Sequence, residues 1–322
     1  MKILLVRLSS MGDLIHTLPA IEDLARARPD VELHWLCEAG FADIARLHPF
    51  VKKVHEMRWR QWRKHLGQCE TWQAMKRLKS SLCEERFDLV LDSQSLLKSA
   101  LFAKCAGAPI WGLDQTSARE AAAAWFYSKR FEVPKGRSAV WRNRALFAQA
   151  FDYEMPPVLS FGVEVPEAGR LNGLAQPYFV ALHATSRDSK LWPVAHWRAL
   201  LQMLHQNESC TVYLPWGNET EKARAHEIAA DLPFAQVCEK MNLLQAAALL
   251  QGAKGVAGVD TGLLHLADAV NVPVVGIFTD TDPRKTGVQE SAWAKNLGGV
   301  ACLPEVADVY ETLCTCIDAK AE

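Results

Sequence analysis

Short apolar runs alternate with stretches of helical period along almost the whole chain. Lys2-Ile3-Leu4-Leu5-Val6 reads as a buried strand, and Val31 to Leu36, Val51 to Val54, Asp88 to Asp92 and Pro109 to Leu113 follow it, each ahead of a helix candidate. The spacing of Leu14, Leu18, Ile21 and Leu24 predicts one helical face directly after the first strand. A second series begins at Tyr178 to His183 and continues through Cys210 to Leu214, Val256 to Asp260 and Val272 to Phe278, with helices expected at about 194–206, 219–231, 242–252 and 262–270. Val306 to Ile317 predicts a last helix that closes the second domain or packs back on the first. This repetition predicts an α/β protein of two doubly wound parallel sheets, whose ligands bind beyond the carboxyl ends of the strands. Two such sheets facing each other would form an interdomain cleft.

The 322 residues suit two domains of roughly 150 residues, each able to bury its own core. Between Glu154 and Pro177 the pattern breaks into a stretch containing Pro156, Pro157, Gly162, Pro166, Gly169 and Gly173. The expected division is therefore a first domain at 1–155, a linker at 156–176 and a second domain at 177–322. The net charge of −1 hides an asymmetry: residues 1–155 carry 24 Lys and Arg against 18 Asp and Glu, a balance of +6, and the rest carry 12 against 19, a balance of −7. The first half should meet an anion, and nucleic acid, an anionic membrane surface and a phosphorylated acceptor all stay open on charge alone. Nine scattered cysteines, with only Cys314 and Cys316 close together, fit neither a zinc knuckle nor a redox pair, so reduced thiols in a cytoplasmic protein are expected. The run Ile3 to Val6 is too short for a signal-peptide core, and no apolar stretch approaches the ~20 residues of a spanning helix.

Candidate chemistry sits where strands run into helices. Asp13, in Ser9-Ser10-Met11-Gly12-Asp13, stands on a Gly-bearing turn after the first strand, a position that suits a catalytic base and equally suits capping the next helix. Val259-Asp260-Thr261-Gly262-Leu263-Leu264-His265 opens another helix, whose N–H groups and dipole suit a phosphate; plain capping is the alternative. His183 to Pro193 offers Thr185, Ser186, Arg187 and Lys190, a diphosphate cradle without a Gly-rich loop or a turn capping the next helix. Glu221, after the turn Leu214 to Asn218, could bind ribose hydroxyls or be an ordinary first-turn glutamate. Arg58-Trp59-Arg60-Gln61-Trp62-Arg63-Lys64-His65 interleaves cations with indoles: guanidinium groups for carboxylate or phosphate, and indoles for a sugar face, a membrane boundary or the protein's own interior.

Three of these segments, Ser9 to Ala20, His183 to Pro193 and Val259 to Leu266, together resemble the lipopolysaccharide heptosyltransferases, in order and over nearly the whole chain. The Ser-Ser-Met-Gly-Asp form is similar to heptosyltransferase I more than to heptosyltransferase II. The resemblance implies a GT-B glycosyltransferase of two Rossmann-like domains, an N-terminal one for the acceptor and a C-terminal one for ADP-L-glycero-β-D-manno-heptose. It implies inverting transfer of heptose to the Kdo of Kdo-lipid A in lipopolysaccharide core synthesis, at the cytoplasmic face of the inner membrane, with peripheral membrane contact, no nucleic acid, no cofactor and no metal. Carried over by resemblance, Asp13 is the base, and Lys190, Thr185, Ser186 and the backbone at Thr261, Gly262 and Leu263 stabilise the leaving diphosphate. Asp260 holds heptose hydroxyls, Glu221 the ribose and the segment near Met241 the adenine, with His265 on the donor side. Arg60, Arg63, Lys64 and Arg119 grip the acidic acceptor. Where the family shows Gly-Pro-Thr-Asp-Pro after the last core strand, this chain has Thr279-Asp280-Thr281-Asp282-Pro283, and that loop is left outside the expected site.

Two other classes fit less well. A nicotinamide-dependent dehydrogenase would explain Glu38 after the second strand, but the first turn holds only Gly12 where Gly-x-Gly-x-x-Gly is required. A two-lobed solute-binding protein would need an export signal. Heptosyltransferase II shares the implied fold and donor and differs in acceptor.

Overall fold

The computed structural model describes residues 1–321. The chain forms two compact units, Met1–Glu164 and Val165 onward. In the first, β1 (Lys2–Val6), β2 (Glu32–Glu38), β3 (Val51–Met57), β4 (Leu89–Asp92), β5 (Ile110–Leu113) and β6 (Lys129–Phe131) make one sheet in the order β3-β2-β1-β4-β5-β6. Every pairing is parallel, with Ile3 beside Leu33 on one side and beside Leu89 on the other. The second unit repeats this order with β7 (Tyr178–Leu182), β8 (Thr211–Leu214), β9 (Ala235–Val237), β10 (Gly255–Val259), β11 (Val274–Phe278) and β12 (Ala294–Gly298), arranged β12-β11-β10-β7-β8-β9. The strand direction of travel reverses between β1 and β4 and between β7 and β10, and such switch points are where open α/β sheets bind ligands.

Each sheet is buried by helices on both faces, which explains why its central strands are uninterrupted apolar runs. Leu4, Val6 and Val90 pack with Ala100 and Phe102 in the first unit. Phe179, Val212 and Ile277 pack with Trp197 and Leu313 in the second, so the last helix, Val306–Ala321, belongs to the second unit's core. Among the described residues no helix is long and apolar enough to cross a membrane.

Two sequence expectations need revising. The helical face after β1 is split into Met11–Ile15 and Leu18–Ala27, although Leu14, Leu18, Ile21 and Leu24 are all fully buried. Pro19 lacks the N–H that would continue the first helix onto the Ile15 carbonyl, so it begins a second helix instead. The boundary between the units, Glu164/Val165, falls inside the expected linker at 156–176, whose two ends are fastened to the units. The Arg144 guanidinium donates to the Pro156 carbonyl at 2.6 Å, and the Glu164 N–H donates to Leu47 at 2.8 Å. Beyond the unit boundary the Ala175 N–H donates to the Tyr213 hydroxyl at 3.0 Å. Pro and Gly here shape a fitted segment, because its backbone groups find partners on the units themselves.

Arg144 also forms a buried ion pair with Asp23, at 2.6 Å from its Nε, tying helix Ala139–Phe151 to helix Leu18–Ala27. Removing one member of such a pair strands the other charge, so Arg144→Ala should cost about 3–5 kcal/mol, seen as a lowered denaturant midpoint at unchanged slope. A loss below about 0.5 kcal/mol, typical of surface changes, would contradict this role.

Candidate active site

The first unit's switch point is locked together by side chains. The Gln94 amide accepts the Leu8 N–H at 2.6 Å and donates to the Ser9 carbonyl at 3.0 Å, joining the loop after β4 to the loop after β1. Asp92 underlies the β4 loop: fully buried, it accepts hydrogen bonds from Ser99, Tyr127 and the N–H groups of Gln94 and Ser95. Burial raises its pKa in spite of those bonds.

Asp13 stands on the frame so made. One carboxylate oxygen accepts the Ser10 N–H at 2.9 Å and the other faces Arg7 at 3.3 Å and Arg119 at 3.2 Å. Asp13 therefore helps cap the start of helix Met11–Ile15 and also presents its second oxygen to a pocket, so the capping leaves that oxygen facing the pocket. Burial pushes its pKa up, but the charges of Arg7 and Arg119 and the Ser10 N–H outweigh that and hold it below the usual carboxylate value. The pocket is completed by Ser93, Gln94, Arg142 and Asn143. Arg7 is almost wholly buried and donates to the Ser93 carbonyl at 2.5 Å, while Arg142 reaches in from helix Ala139–Phe151 and donates to Ser117 at 2.6 Å. Three guanidinium groups around one carboxylate leave positive charge to spare for an acid.

Of the other expected acceptor residues, Arg60, Arg63 and Lys64 are exposed on and just after the short helix Trp59–Trp62. The Arg60 guanidinium lies 4.8 Å from the Phe41 ring centre, and its backbone N–H donates to Glu38 at 2.8 Å. Glu38 is thus a buried support for this basic helix. Trp62 and Trp59 turn inward, Trp59 edge-on to Phe102 at 5.7 Å, which decides for the amphipathic reading of the tryptophans.

In the second unit the loops after β7, β8 and β10 surround a pocket of about 610 Å³ walled by His183, Thr185, Ser186, Trp216, Glu221, Thr261 and Leu263 among others. Its floor is close-packed: a Cβ on Gly258 would lie 2.9 Å from Leu182 and 3.2 Å from Leu264, so glycine lets helix Gly262–Ala269 sit directly on β10. The Thr185 hydroxyl donates to the Asp260 carbonyl at 2.7 Å, pinning the β7 loop to the β10 loop. Lys190 donates to the Asp260 carboxylate at 2.5 Å, which engages one of its three N–H donors and fixes where the ammonium stands. Burial lowers the His183 pKa to about 4, so its ring is neutral at pH 7.

The loop left outside the expected site belongs to it. Thr281 donates to the same Asp260 oxygen at 2.8 Å, Thr279 to the Ser189 carbonyl at 2.9 Å, and Ser189 to Asp280 at 2.6 Å. The two residues that depart from the family pattern, Thr279 and Asp280, reach across to the loop that carries Lys190, while Thr281, which keeps the pattern, braces Asp260. Glu221 lines the pocket while accepting the Gly217 N–H at 2.7 Å and the Asn218 amide at 2.8 Å, so it shapes its own turn as well as facing the cavity. Met241, half-buried ahead of helix Leu243–Gln251, is not among the pocket walls, nor are Gly262, buried His265, Lys190 and Asp260, the last two joined to the pocket through the Thr185 bond to the Asp260 carbonyl. The sequence reading missed Arg7, Arg142, His183 and Thr281.

Among the described residues one group has metal-ligand spacing, His34, His55 and Glu85. Its carboxylate is already engaged by the ammonium groups of Lys2 and Lys53, and Lys2 also lies 3.5 Å from Glu32. The cation position is filled by a lysine, so this cluster is a charge-balanced edge of the sheet.

Comparison with known proteins places this geometry. The family described as Glycosyltransferase family 9 (heptosyltransferase) matches residues 75–312. Lipopolysaccharide heptosyltransferase 1 of Pseudomonas aeruginosa is 43% identical over 289 residues, 89% of this chain and 81% of that protein. The solved structure of Escherichia coli heptosyltransferase WaaC with ADP superposes with a TM-score of 0.89 at 34% identity, covering 97% of this chain and 98% of that one. A second structure of WaaC, with ADP-2-deoxy-2-fluoro heptose, gives 0.85 at 33% identity, covering 99% of both. Two parallel sheets in the same strand order, polar loops at both switch points and a relationship that runs through nearly the whole sequence have one reading: the chain belongs to the lipopolysaccharide heptosyltransferases of glycosyltransferase family 9.

Proposed function

We propose that this chain transfers L-glycero-D-manno-heptose from ADP-L-glycero-β-D-manno-heptose to the Kdo of Kdo-lipid A, with inversion, at the cytoplasmic face of the inner membrane. The observation that carries the residue assignment is Asp13, a carboxylate held ionised by two arginines at a switch point. It accepts the proton of the attacking Kdo hydroxyl as the new bond forms at the anomeric carbon, on the face opposite ADP. A carboxylate of low pKa is a weak base, so its contribution grows as positive charge develops on the attacking oxygen. Arg7, Arg119 and Arg142 hold the acidic sugar beside it, and Arg60, Arg63 and Lys64 extend the basic surface for further anionic groups.

On the donor side, Lys190 with Thr185, Ser186 and the first N–H groups of helix Gly262–Ala269 takes up the charge that leaves with ADP. Asp260 fixes Lys190 and faces the heptose hydroxyls, and Glu221 faces the ribose. Similarity to lipopolysaccharide heptosyltransferase 1 supports the first-heptose position, and similarity to WaaC, solved with ADP and with ADP-2-deoxy-2-fluoro heptose, supports the donor. The alternative acceptor is the mono-heptosylated core.

The test is a pair of incubations with ADP-heptose, one with Kdo-lipid A and one with its mono-heptosylated form, with products identified by mass. One heptose should be added to Kdo-lipid A. Addition only to the mono-heptosylated lipid would assign the chain to the second transfer.

A further inference from the structure

Helix Leu97–Lys104 is apolar on both faces. Ala100, Phe102 and Ala103 pack into the first unit's core, yet Leu97 and Leu101, one turn apart, are 41% and 50% exposed. The segment Ala121–Phe126 runs alongside it: the Leu97 N–H donates to Glu120 at 2.6 Å at one end, and Lys104 lies 5.9 Å from the Phe126 ring centre at the other. On that segment Trp125 is 72% exposed, the most open large apolar side chain among the described residues. The helix bearing Arg60 adjoins on the other side through the Trp59–Phe102 contact.

Among the described residues Arg63, Lys98 and Lys104 form no ion pair, so their charges are not neutralised by contact with a carboxylate. Two acids lie near: Glu120 accepts the Leu97 N–H, and buried Glu38 accepts the Arg60 N–H. Indole and leucine side chains rimmed by unpaired cations match the boundary of an anionic bilayer, where apolar groups enter at headgroup depth and cations meet phosphates. Glu120 is also the neighbour in sequence of Arg119, so this face adjoins the Asp13 pocket.

We propose that the outer face of helix Leu97–Lys104 together with Trp125 seats the chain on an anionic bilayer, with Leu97, Leu101 and Trp125 entering the headgroup boundary and Arg63, Lys98 and Lys104 meeting lipid phosphates. The proposal rests on the reading that the acceptor sugar is carried by a membrane lipid. It adds which surface brings the Asp13 pocket to that membrane.

The experiment is sedimentation of the full chain with vesicles containing phosphatidylglycerol, against vesicles of phosphatidylcholine alone. The full chain should partition onto the anionic vesicles and be released by salt. Trp125→Ala with Leu101→Ser should weaken partition about tenfold, and Lys104→Gln about fivefold. Transfer to a soluble Kdo acceptor without acyl chains should be unchanged in the double variant. Thermal melting checks that the variants are folded, and Trp125→Phe should retain partition. Equal binding by wild type and the double variant would overturn the proposal, as would no preference for anionic vesicles. A dimer of this chain dissociated by the same substitutions would overturn it too, by assigning the face to a second copy. Vesicle binding needs no catalysis, so a wild-type chain that transfers heptose to the soluble acceptor but does not partition onto anionic vesicles refutes the docking alone, and one that binds vesicles without transferring heptose refutes the proposed function alone.

Discussion

Asp13→Asn should lower heptose transfer by about 10²–10⁴-fold, the usual worth of a positioned base, and leave ADP-heptose affinity unchanged. Asparagine preserves the size of the side chain and can still accept the Ser10 N–H, so the helix start survives while the charge and basicity go. The buried Arg7 guanidinium then loses its counter-charge, and the variant must be shown to be folded before its rate is read. The same site gives a pH prediction with a definite sign. Arg7 and Arg119 favour ionised Asp13 over the burial that opposes it, so the acidic limb of the rate profile governed by Asp13 lies below the ordinary carboxylate value. Arg119→Ala removes one of the two cations, raises the Asp13 pKa and moves that limb to higher pH. A limb that stays in place when Arg119 is removed, or wild-type turnover in Asp13→Asn, would reassign the base.

Lys190→Ala should cost about 10²–10³-fold in turnover, since removing one donor aimed at developing charge typically costs that much. Asp260 holds the ammonium in place at 2.5 Å, and Thr281 and Thr185 brace Asp260, so the charge needs little reorganisation when the diphosphate departs. Arginine at this position should restore only part of the rate, because a planar fork does not occupy the place of a compact ammonium. Thr281→Val should give a smaller loss in the same direction by loosening Asp260. If Lys190→Ala weakened ADP-heptose binding with turnover intact, Lys190 would serve ground-state binding and have no special part in leaving-group departure.

The strands visible in the sequence are mostly those buried on both sides; of the four edge strands among the described residues only β3 was anticipated, from its short run Val51 to Val54. β1, β4, β7, β10 and β11 each lie between two neighbours beneath helices, and covering both faces leaves a run of apolar residues that reads without ambiguity. The three strands not anticipated, β6, β9 and β12, are sheet edges. Lys129–Phe131 and Ala235–Val237 are only three residues long, and Ala294–Gly298 contains Lys295 and Asn296, so none presents an apolar run. At the site, Asp13, Lys190 and Asp260 stand next to turns whose residue types announce strand ends. Arg142 lies mid-helix and meets the Asp13 pocket only through packing of elements far apart in the chain, so nothing local marks it. Thr281 is passed over with its whole loop because the two residues before it, Thr279 and Asp280, depart from the family pattern, although Thr281 itself keeps it; the hydrogen bond to Asp260 shows what its hydroxyl does.

The parallel pairing of β1 with β4 also dictates an order of events during synthesis. Asp13 leaves the ribosome early, but Ile3 cannot pair with Leu89 until some eighty residues more have followed, and Arg119 and Arg142 come later still. At roughly 5–20 residues per second, on the order of ten seconds separate the emergence of the carboxylate from that of its last cation. During that interval the nascent β1 run can pair with β2 on one side only, and its other edge stays open to chaperones and to neighbouring chains. Mutations that slow closure of this long loop should thus reduce the yield of folded protein in cells even where the purified enzyme is stable and active.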